Sequence, residues 1–309
     1  MNMLITMMLA LAATGSEPVE MRMTYDSLHM HETTPGRQPV LTYRYRNVPR
    51  KPYVMEWFTP RGLNVLRDAP ADHVHHHGLM FAITVENVNF WEETDQGGSQ
   101  EHRRFNEINL PYHPTVEGRA VVSETLDWRA PAPGLGDVLL VEERRIALLD
   151  SGTEARLLHW QSRLHCPESK EAVTLSGRIY HGLGMRFPEF FDGDGVFVWA
   201  DDKNGAFEDG AHYLASAAWC AIQCAGPPTK EATVALFDAP DNPRPALWFT
   251  MRRPFAYLSA TLDLSRQPLP LHADAPITLN YGVAVWDGVA DAEQIEALYR
   301  RWREMHEEE

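Results

Sequence analysis

The sequence predicts an all-β fold, a large antiparallel β-sandwich that ends in a short C-terminal helix. Short segments of alternating apolar and polar residues recur along the chain, which is the periodicity of half-buried strands. Gly, Pro, Asp and Asn separate these segments, as in "PAPGLGD", "DGDG" and "DAPDNPRP". No helical segment lies between them to form βαβ units, so we expect antiparallel pairing in a single domain, residues 16–309.

The predicted strands share a short length and many β-branched or aromatic residues. The first clear one is "VLTYRYRNV", and those that follow include "GLMFAITVENVNFW", "GRAVVSETLDW", "DVLLVEERRIALLD", "ARLLHWQSRLH", "AWCAIQCA", "ALWFTMR", "AYLSATLDLS" and "ITLNYGVAVWDG". Only residues 291–309 are predicted to be helical. Ile295, Leu298 and Trp302 recur there at helical spacing, and Asp291 is a suitable N-cap.

The N-terminus, "MNMLITMMLALAATGSEPVE", contains an apolar run that is shorter than the roughly 20 residues needed to cross a bilayer. Residues 1–15 are predicted to be a signal peptide, with Ala13 and Gly15 before the cleavage site, although no Lys or Arg precedes the apolar run. An apolar first strand is the alternative. With a signal peptide, the protein is expected to be periplasmic or secreted.

The formal net charge is −15. This acidity disfavours nucleic acid and anionic membrane surfaces as partners, because both require a basic face. No other segment is long and apolar enough for membrane insertion.

The chain has three cysteines, Cys166, Cys220 and Cys224. The last two share one face of a predicted strand, but at a rise of about 3.3 Å per residue they lie too far apart for a disulfide. We expect buried free thiols.

The segment "ADHVHHHGLMF" contains His73, His75, His76 and His77, four of the 14 histidines in the chain. If the segment is extended, His73, His75 and His77 face one side and His76 faces the other. Close imidazoles resist joint protonation, so we expect pKa values below the ordinary value of about 6.5. A neutral imidazole suits a general base or a metal ligand, and Asp72 is placed to orient one ring. A cluster with structural hydrogen bonds only is the alternative.

The next strand leads into "NFWEETDQGGSQEHRRF", which supplies Trp91, Glu92, Glu93 and His102. An aromatic surface beside carboxylates and an imidazole suits a small-molecule carbohydrate. The apolar face of a sugar packs on a tryptophan, and its hydroxyls bond to the polar groups. The alternative is that Trp91 belongs to the core and the two glutamates are solvated.

Two later segments add further candidates. In "GRIYHGLGMRFPEF", His181 and Arg186 flank two glycines that permit an unusual backbone. An arginine in an apolar context needs either a structural carboxylate or an anionic or hydroxyl-bearing ligand, and we favour the ligand. "DNPRPALWF" adds Asn242 and Arg244, for which a turn role is the favoured interpretation.

With these residues in view, "TPRGLNVLRDAPADHVHHHGLMFAITVENVNFWEE" resembles the bacterial PmoA-like family, also labelled methane oxygenase PmoA, whose function is poorly defined. The family pattern is D-H-x-H-H-R-G-L, then a strand and F-W-E, and this chain has His77 where the pattern has arginine. The resemblance continues through "YHGLGMRFP", "NPRPALWF" and "LNYGVAVWDG". It therefore covers about residues 35 to 300.

The resemblance implies a secreted or periplasmic β-supersandwich, similar in shape to galactose-mutarotase-like sugar enzymes. Methane oxidation does not follow from the label. The methane monooxygenase subunit spans the membrane several times, and this sequence has no spanning segment.

Our first hypothesis is an enzyme that cleaves or epimerises a glycoside or an oxidised sugar by histidine and carboxylate acid–base chemistry. Its predicted catalytic residues are His75, His76, Glu92, His102 and Arg186. Its predicted substrate-binding residues are His73, His77, Trp91, Glu93, His181, Asn242 and Arg244.

The second hypothesis is a non-catalytic carbohydrate-binding or scaffold protein, which needs the aromatic residues and the arginine but not the histidines. A divalent metal ion is a further possibility, with His73, His75 and His102 as candidate ligands. The sugar chemistry does not require an ion, whereas four clustered histidines exceed what that chemistry needs, so the metal stays open and no cofactor is assigned.

Overall fold

A computed structural model of the chain describes residues 19–33, 36, 38–109, 120–132, 135–150, 154–200, 212–227 and 229–307. The predicted signal peptide, residues 1–15, lies outside these residues. In chain order the strands are β1 (Val19–Met23), β2 (Ser27–Glu32), β3 (Pro39–Arg44), β4 (Tyr53–Trp57), β5 (Leu79–Ala82), β6 (Thr84–Val85), β7 (Val88–Asn89), β8 (Ser99–Asn109), β9 (Ala120–Arg129), β10 (Val138–Asp150), β11 (Ala155–His165), β12 (Ala172–Ser176), β13 (Gly182–Arg186), β14 (Val196–Trp199), β15 (His212–Ser216), β16 (Trp219–Ala225), β17 (Glu231–Asp238), β18 (Leu247–Met251), β19 (Tyr257–Thr261), β20 (Leu269–His272) and β21 (Ile277–Asp287). A 3-10 helix (Glu189–Phe191) follows β13, and helix α1 (Ala292–Glu307) follows β21.

In the described part of the chain the strands form two large sheets and one small one. The first large sheet has the order β1-β2-β3-β4-β5-β13-β19-β18-β15, and the second has the order β14-β16-β17-β21-β11-β10-β9-β8. The small sheet has the order β20-β12-β6-β7. The pairing is antiparallel throughout these ladders, as the sequence predicted.

The two large sheets pack face to face around an apolar core. Phe81 of β5 meets Trp128 of β9 with ring centroids 5.8 Å apart, and both side chains are fully buried. Removal of such surfaces from water, at roughly 25 cal/mol per Å², is the main stabilising term of the sandwich. The predicted all-β sandwich with a short C-terminal helix is therefore confirmed. Cys220 and Cys224 are buried and free, as predicted.

Helix α1 packs on the outer face of the second sheet. Asp291 caps it, because its carboxylate accepts the Gln294 amide (2.8 Å) while the Gln294 side chain accepts the Asp291 amide (2.9 Å). Trp302 is fully buried over Gly282 of β21, where a Cβ would approach its ring to 3.0 Å. The helix predicted for residues 291–309 is thus observed as Ala292–Glu307. Across the described residues, the search for membrane-spanning helices found none of sufficient length and apolarity.

Candidate functional site

The floor of the candidate site is one face of the first sheet, where β5, β13, β19 and β18 are neighbours. The register aligns Arg186 with Tyr257 and Tyr257 with Met251, so these side chains share that face. Gly184 lies on the same face. A Cβ there would stand 2.0 Å from the Tyr257 hydroxyl and 3.0 Å from the Trp91 ring. This glycine therefore lets two aromatic side chains approach the backbone.

The histidine loop, residues 67–78, folds back on itself before β5. The His76 amide donates to the His73 carbonyl (3.0 Å), which closes a turn inside the loop. The segment is therefore not extended, and the alternation of faces that an extended segment would give does not apply. The turn brings His73, His75 and His76 together and places His77 elsewhere.

The three clustered imidazoles contact one another directly. His73 and His76 stack with ring centroids 4.7 Å apart, and His75 meets His76 edge-on at 4.6 Å. Burial, then the neighbouring His75, His73 and Arg186, lowers the pKa of His76 to about 2. Burial, then Lys51 and His73, lowers the pKa of His75 as well. The predicted depression of pKa is confirmed for these two rings, which are neutral at pH 7.

Trp91 and Glu92 form a second side of the site, in the loop after β7. The Asn89 side-chain oxygen accepts the amides of Trp91 (2.8 Å) and Glu92 (3.2 Å), which fixes the loop. The Glu92 carboxylate accepts hydrogen bonds from the Asn89 amide group (2.7 Å) and the Tyr180 hydroxyl (3.3 Å). These donors hold the carboxylate as an acceptor at the edge of the site.

His181 supports Trp91 rather than lining the site. Its ring lies parallel to the Trp91 indole, with centroids 5.1 Å apart and an interplanar angle of 10°. It is buried, and neither ring nitrogen has a hydrogen-bond partner among the described residues. Burial, then Arg178 and Lys51, lowers the pKa of His181 to about 3, so the ring is neutral.

The third side comes from β18 and the turn that joins it to β19. Together the three sides enclose a cleft of about 380 Å³, within the range of roughly 300–1,000 Å³ that is usual for small-molecule sites. The Tyr257 hydroxyl and Nδ1 of His76 are buried there without a hydrogen-bond partner in the described part of the chain. The cleft is lined by His73, His75, His76, Trp91, Glu92, Tyr180, Phe249, Met251, Pro254, Phe255 and Tyr257.

Arg186 is buried beside the cleft and is not part of its lining. Its Nη2 donates to Asp72 (3.1 Å), which also meets Nδ1 of His73 (3.1 Å). Its guanidinium carbon lies 3.6 Å from the centroid of the Phe255 ring, while Nε and Nη1 have no partner among the described residues. Arg186 thus has the structural carboxylate that we considered less favoured. Arg186 is linked to the cleft lining by its contact with the Phe255 ring and, through Asp72, by the bond from Asp72 to His73.

His77 and Glu93 belong to a buried charge network outside the cleft. His77 Nδ1 meets Asp68 (2.7 Å) and Nε2 meets Glu93 (3.0 Å), while the Lys51 ammonium donates to the same Glu93 oxygen (2.8 Å). Burial alone would lower the pKa of His77, but its two carboxylate partners outweigh this and raise it. For Glu93 burial alone would raise the pKa. The hydrogen bond to His77 and the charge of Lys51 outweigh burial and lower the pKa of Glu93 to about 2. His77 and Glu93, which were predicted to bind substrate, therefore lie in this network and not in the lining of the cleft.

The structure does not bring His102 to the histidine cluster. His102 lies on β8 and lines a separate cleft of about 260 Å³ with Tyr45, Arg46 and Arg50 among its neighbours. Its Nδ1 makes a short hydrogen bond to the buried Glu124 carboxylate. A catalytic role for His102 in the main cleft is therefore not supported by its position.

Asn242 and Arg244 also lie apart from the cleft, in the structural role that the turn interpretation favoured. The Asn242 side chain donates to Asp238 (2.8 Å) and to the Asn280 carbonyl (2.9 Å), and it accepts the Asn280 amide (2.7 Å). Arg244 donates to backbone carbonyls, including that of Leu262 (3.2 Å). Both side chains tie loops together.

No group of three or more His, Cys, Asp or Glu side chains within the described residues is arranged to hold a metal ion. The predicted ligands His73 and His75 lie side by side, with ring centroids 5.7 Å apart, but His102 lines a different cleft. The proposed trio therefore does not converge.

Sequence reasoning missed the residues that β18, the turn after it and β19 contribute, above all Phe249, Phe255 and Tyr257. They read as ordinary strand residues in "ALWFTMRRPFAYLS". The available signal was the run of Arg252, Arg253 and Pro254, which interrupts the strand alternation and marks a turn at the end of the sheet. Lys51 gave no signal at all.

The sequence matches a family of unknown function, DUF6807, over residues 31–300. The chain belongs to the DUF6807 family. The match does not carry the PmoA-like label that the resemblance suggested, but it agrees that members have no defined function. No curated protein matches the DUF6807 chain.

Several solved structures are similar to this DUF6807 chain at low identity. An α-galactosidase from Lactobacillus brevis is 6% identical, with a TM-score of 0.46, and the match covers 88% of this chain and 40% of that one. The GH36 α-galactosidase AgaA from Geobacillus stearothermophilus is 10% identical, with a TM-score of 0.43, and the match covers 87% and 40%. A putative mutarotase, YeaD, from Salmonella typhimurium is 11% identical, with a TM-score of 0.41, and the match covers 87% and 94%. The chain thus spans about two fifths of the two α-galactosidases.

Proposed function

We propose that the chain is an enzyme that acts on a small-molecule carbohydrate in the cleft beside the histidine loop. The observation that carries the proposal is one cleft in which neutral imidazoles, a carboxylate and five aromatic rings meet. Aromatic rings pack on the C–H faces of a sugar, and the imidazoles and Glu92 match its hydroxyls. The predicted signal peptide would place this activity in the periplasm or outside the cell.

His75 is the proposed proton-transfer group, and Glu92 is its electrostatic partner. A neutral His75 accepts a proton from a sugar hydroxyl or from water, and the imidazolium so formed returns it to the departing oxygen. Glu92 raises the pKa of His75 electrostatically, so it stabilises this imidazolium. The net reaction is one of two. In the first, water is added across a glycosidic C–O bond. In the second, the ring of a free sugar opens and recloses, which epimerises its anomeric carbon.

His76 and Tyr257 are proposed to bind the substrate. Each has a buried polar atom without a hydrogen-bond partner among the described residues, and both side chains line the cleft. A buried polar group gains most when a ligand completes its hydrogen bond. Trp91 is fully buried and stacked on His181, as the core alternative for this residue expected, so it supports the cleft from below and the partly exposed rings supply the packing surface.

One observation favours the second hypothesis, a non-catalytic carbohydrate-binding protein. With a pKa of about 2, His76 is a weak base in the free protein, which suits a hydrogen-bonding role better than proton transfer. The reaction must therefore depend on His75, and that residue separates the two hypotheses.

The test uses His75→Gln and Glu92→Gln, with His31→Gln on β2 as the matched control. Purified full-length protein is screened for binding and turnover on free sugars, glycosides and keto-glycosides. If the protein is an enzyme, each cleft variant should lose about 100-fold or more in kcat, a loss larger than its loss of ligand affinity, since groups that act in acid–base catalysis contribute roughly 10²–10⁴. Binding without turnover in the wild type would favour the binding protein. Neither binding nor turnover would contradict the proposal.

A further inference from the structure

The cleft has two chemically different sides. The apolar wall consists of Phe249, Met251, Pro254 and Phe255, four lining residues from β18 and the turn after it. The polar wall consists of His73, His75, His76, Glu92 and Tyr180, which come from the histidine loop, the β7 loop and the segment before β13. Within the described lining, every titratable side chain except that of Tyr257 lies on the polar wall.

The strand register explains this separation. Phe249 and Met251 are two residues apart on β18, so both point to the face that carries Tyr257. The chain then turns, and Phe255 packs edge-on against His73, with ring centroids 4.6 Å apart. The apolar wall therefore meets the polar one at Phe255, and again at Phe249, whose ring centroid lies 5.9 Å from that of Tyr180.

We infer that the substrate is an amphipathic glycoside, a sugar joined to an aryl or alkyl group, with the non-sugar part against the apolar wall. This inference rests on the proposed function, because it assigns the sugar itself to the polar wall. The sugar hydroxyls then face His75, His76 and Glu92, and the glycosidic oxygen lies at the junction beside Phe255.

A second sugar unit in place of the aryl or alkyl group fits the cleft less well. Its hydroxyls would lose water against Phe249, Met251 and Pro254, whose side chains offer no hydrogen-bond partner. Each hydroxyl desolvated in this way lowers affinity by roughly tenfold. Met251 is an adaptable side chain, which suits contact with an apolar group of variable shape. The cleft volume, about 380 Å³, accommodates one sugar ring and one group of similar size.

The test compares four ligands that share one sugar: the phenyl, hexyl and methyl glycosides and a disaccharide. Both anomers of the glucose, galactose, mannose and xylose series are measured by isothermal titration with the full chain. We expect the phenyl and hexyl glycosides to bind about tenfold or more tightly than the methyl glycoside and the disaccharide. Equal or tighter binding of the disaccharide would overturn the inference and leave the proposed function intact. Binding of no ligand in any series would contradict the proposed function as well.

Met251→Gln assigns the preference to the apolar wall. Gln is close to Met in size but polar, and Met251 is only partly buried, so the variant is expected to fold. The preference for the phenyl over the methyl glycoside should fall about fivefold. Met23→Gln, at an exposed position on β1, is the matched control and should keep the full preference. An unchanged preference in Met251→Gln would overturn the inference.

Discussion

The Tyr257 hydroxyl lies directly over the backbone of Gly184, so close that a Cβ on Gly184 would stand 2.0 Å from it. Gly184→Ala should therefore displace Tyr257 from the cleft floor, abolish ligand binding and destabilise the protein by about 1–3 kcal/mol, the usual cost of overpacking. Urea unfolding and ligand titration measure the two effects. Gly226→Ala, where the nearest atom to the new Cβ is a carbonyl oxygen at 3.3 Å, should bind ligand normally. Normal binding by Gly184→Ala would show that the Tyr257 position is not required.

Glu93→Gln should be strongly destabilising. The substitution leaves Lys51 and His77 buried without their shared carboxylate, and such a break in a buried ion pair costs about 3–5 kcal/mol. Glu189→Gln is the matched control, because Glu189 pairs with Arg67 at the same distance, 2.8 Å, but is 77% exposed. That exposed pair should contribute only about 0–1 kcal/mol. Similar losses in the two variants would mean that the network beneath the histidine loop is not energetically distinct.

The protein should lose stability steadily as the pH falls below about 6.5. His76 and His181 have folded pKa values of about 2 and about 3, so between these values and 6.5 the unfolded chain binds protons that the folded protein does not. Each group then lowers the free energy of unfolding by about 1.4 kcal/mol per pH unit. His181→Phe keeps a ring beside Trp91 and should reduce the slope by that amount, as measured by urea unfolding from pH 7 to pH 4.5. A slope equal to that of the wild type would contradict a neutral His181.

His102→Gln should affect folding and leave the cleft unchanged. His102 is hydrogen-bonded to the buried Glu124, which also accepts a hydrogen bond from the Tyr43 hydroxyl, so the variant removes one of two hydrogen bonds to this carboxylate at a cost of about 1–3 kcal/mol. The double variant His102→Gln and Glu124→Gln should recover part of this loss, because it also removes the buried carboxylate that lost a hydrogen bond. Ligand affinity in both variants should equal that of the wild type. A tenfold loss of affinity in His102→Gln would restore this residue to the main site.

Periodicity was sufficient to predict the sandwich and the terminal helix. Alternation with period two is a local property of each strand, and the spacing of Ile295 and Trp302 is a local property of α1. The ends of the strands and their order in the sheets were not predictable in the same way, because pairing is decided by contacts between distant segments.

The candidate site was predictable only in its polar half. The histidine cluster, Trp91 and Glu92 are visible in the sequence because their residue types are unusual together. His77 was separated from its neighbours by a backbone turn, and His102 by its partner Glu124, neither of which has a sequence signature. The apolar wall was invisible, since Phe249 and Phe255 look like core residues until the sheet register brings them to the cleft.

The cleft floor is assembled from three widely separated parts of the chain, which are β5, β13 and the hairpin of β18 and β19. A floor of high contact order closes late, after the slow long-range pairings have formed. A nascent or partly folded chain therefore has no binding site. Ligand binding is then linked to the global folding equilibrium, and a bound ligand should protect the slowest-exchanging amides of the whole sandwich from deuterium as well as those around the cleft.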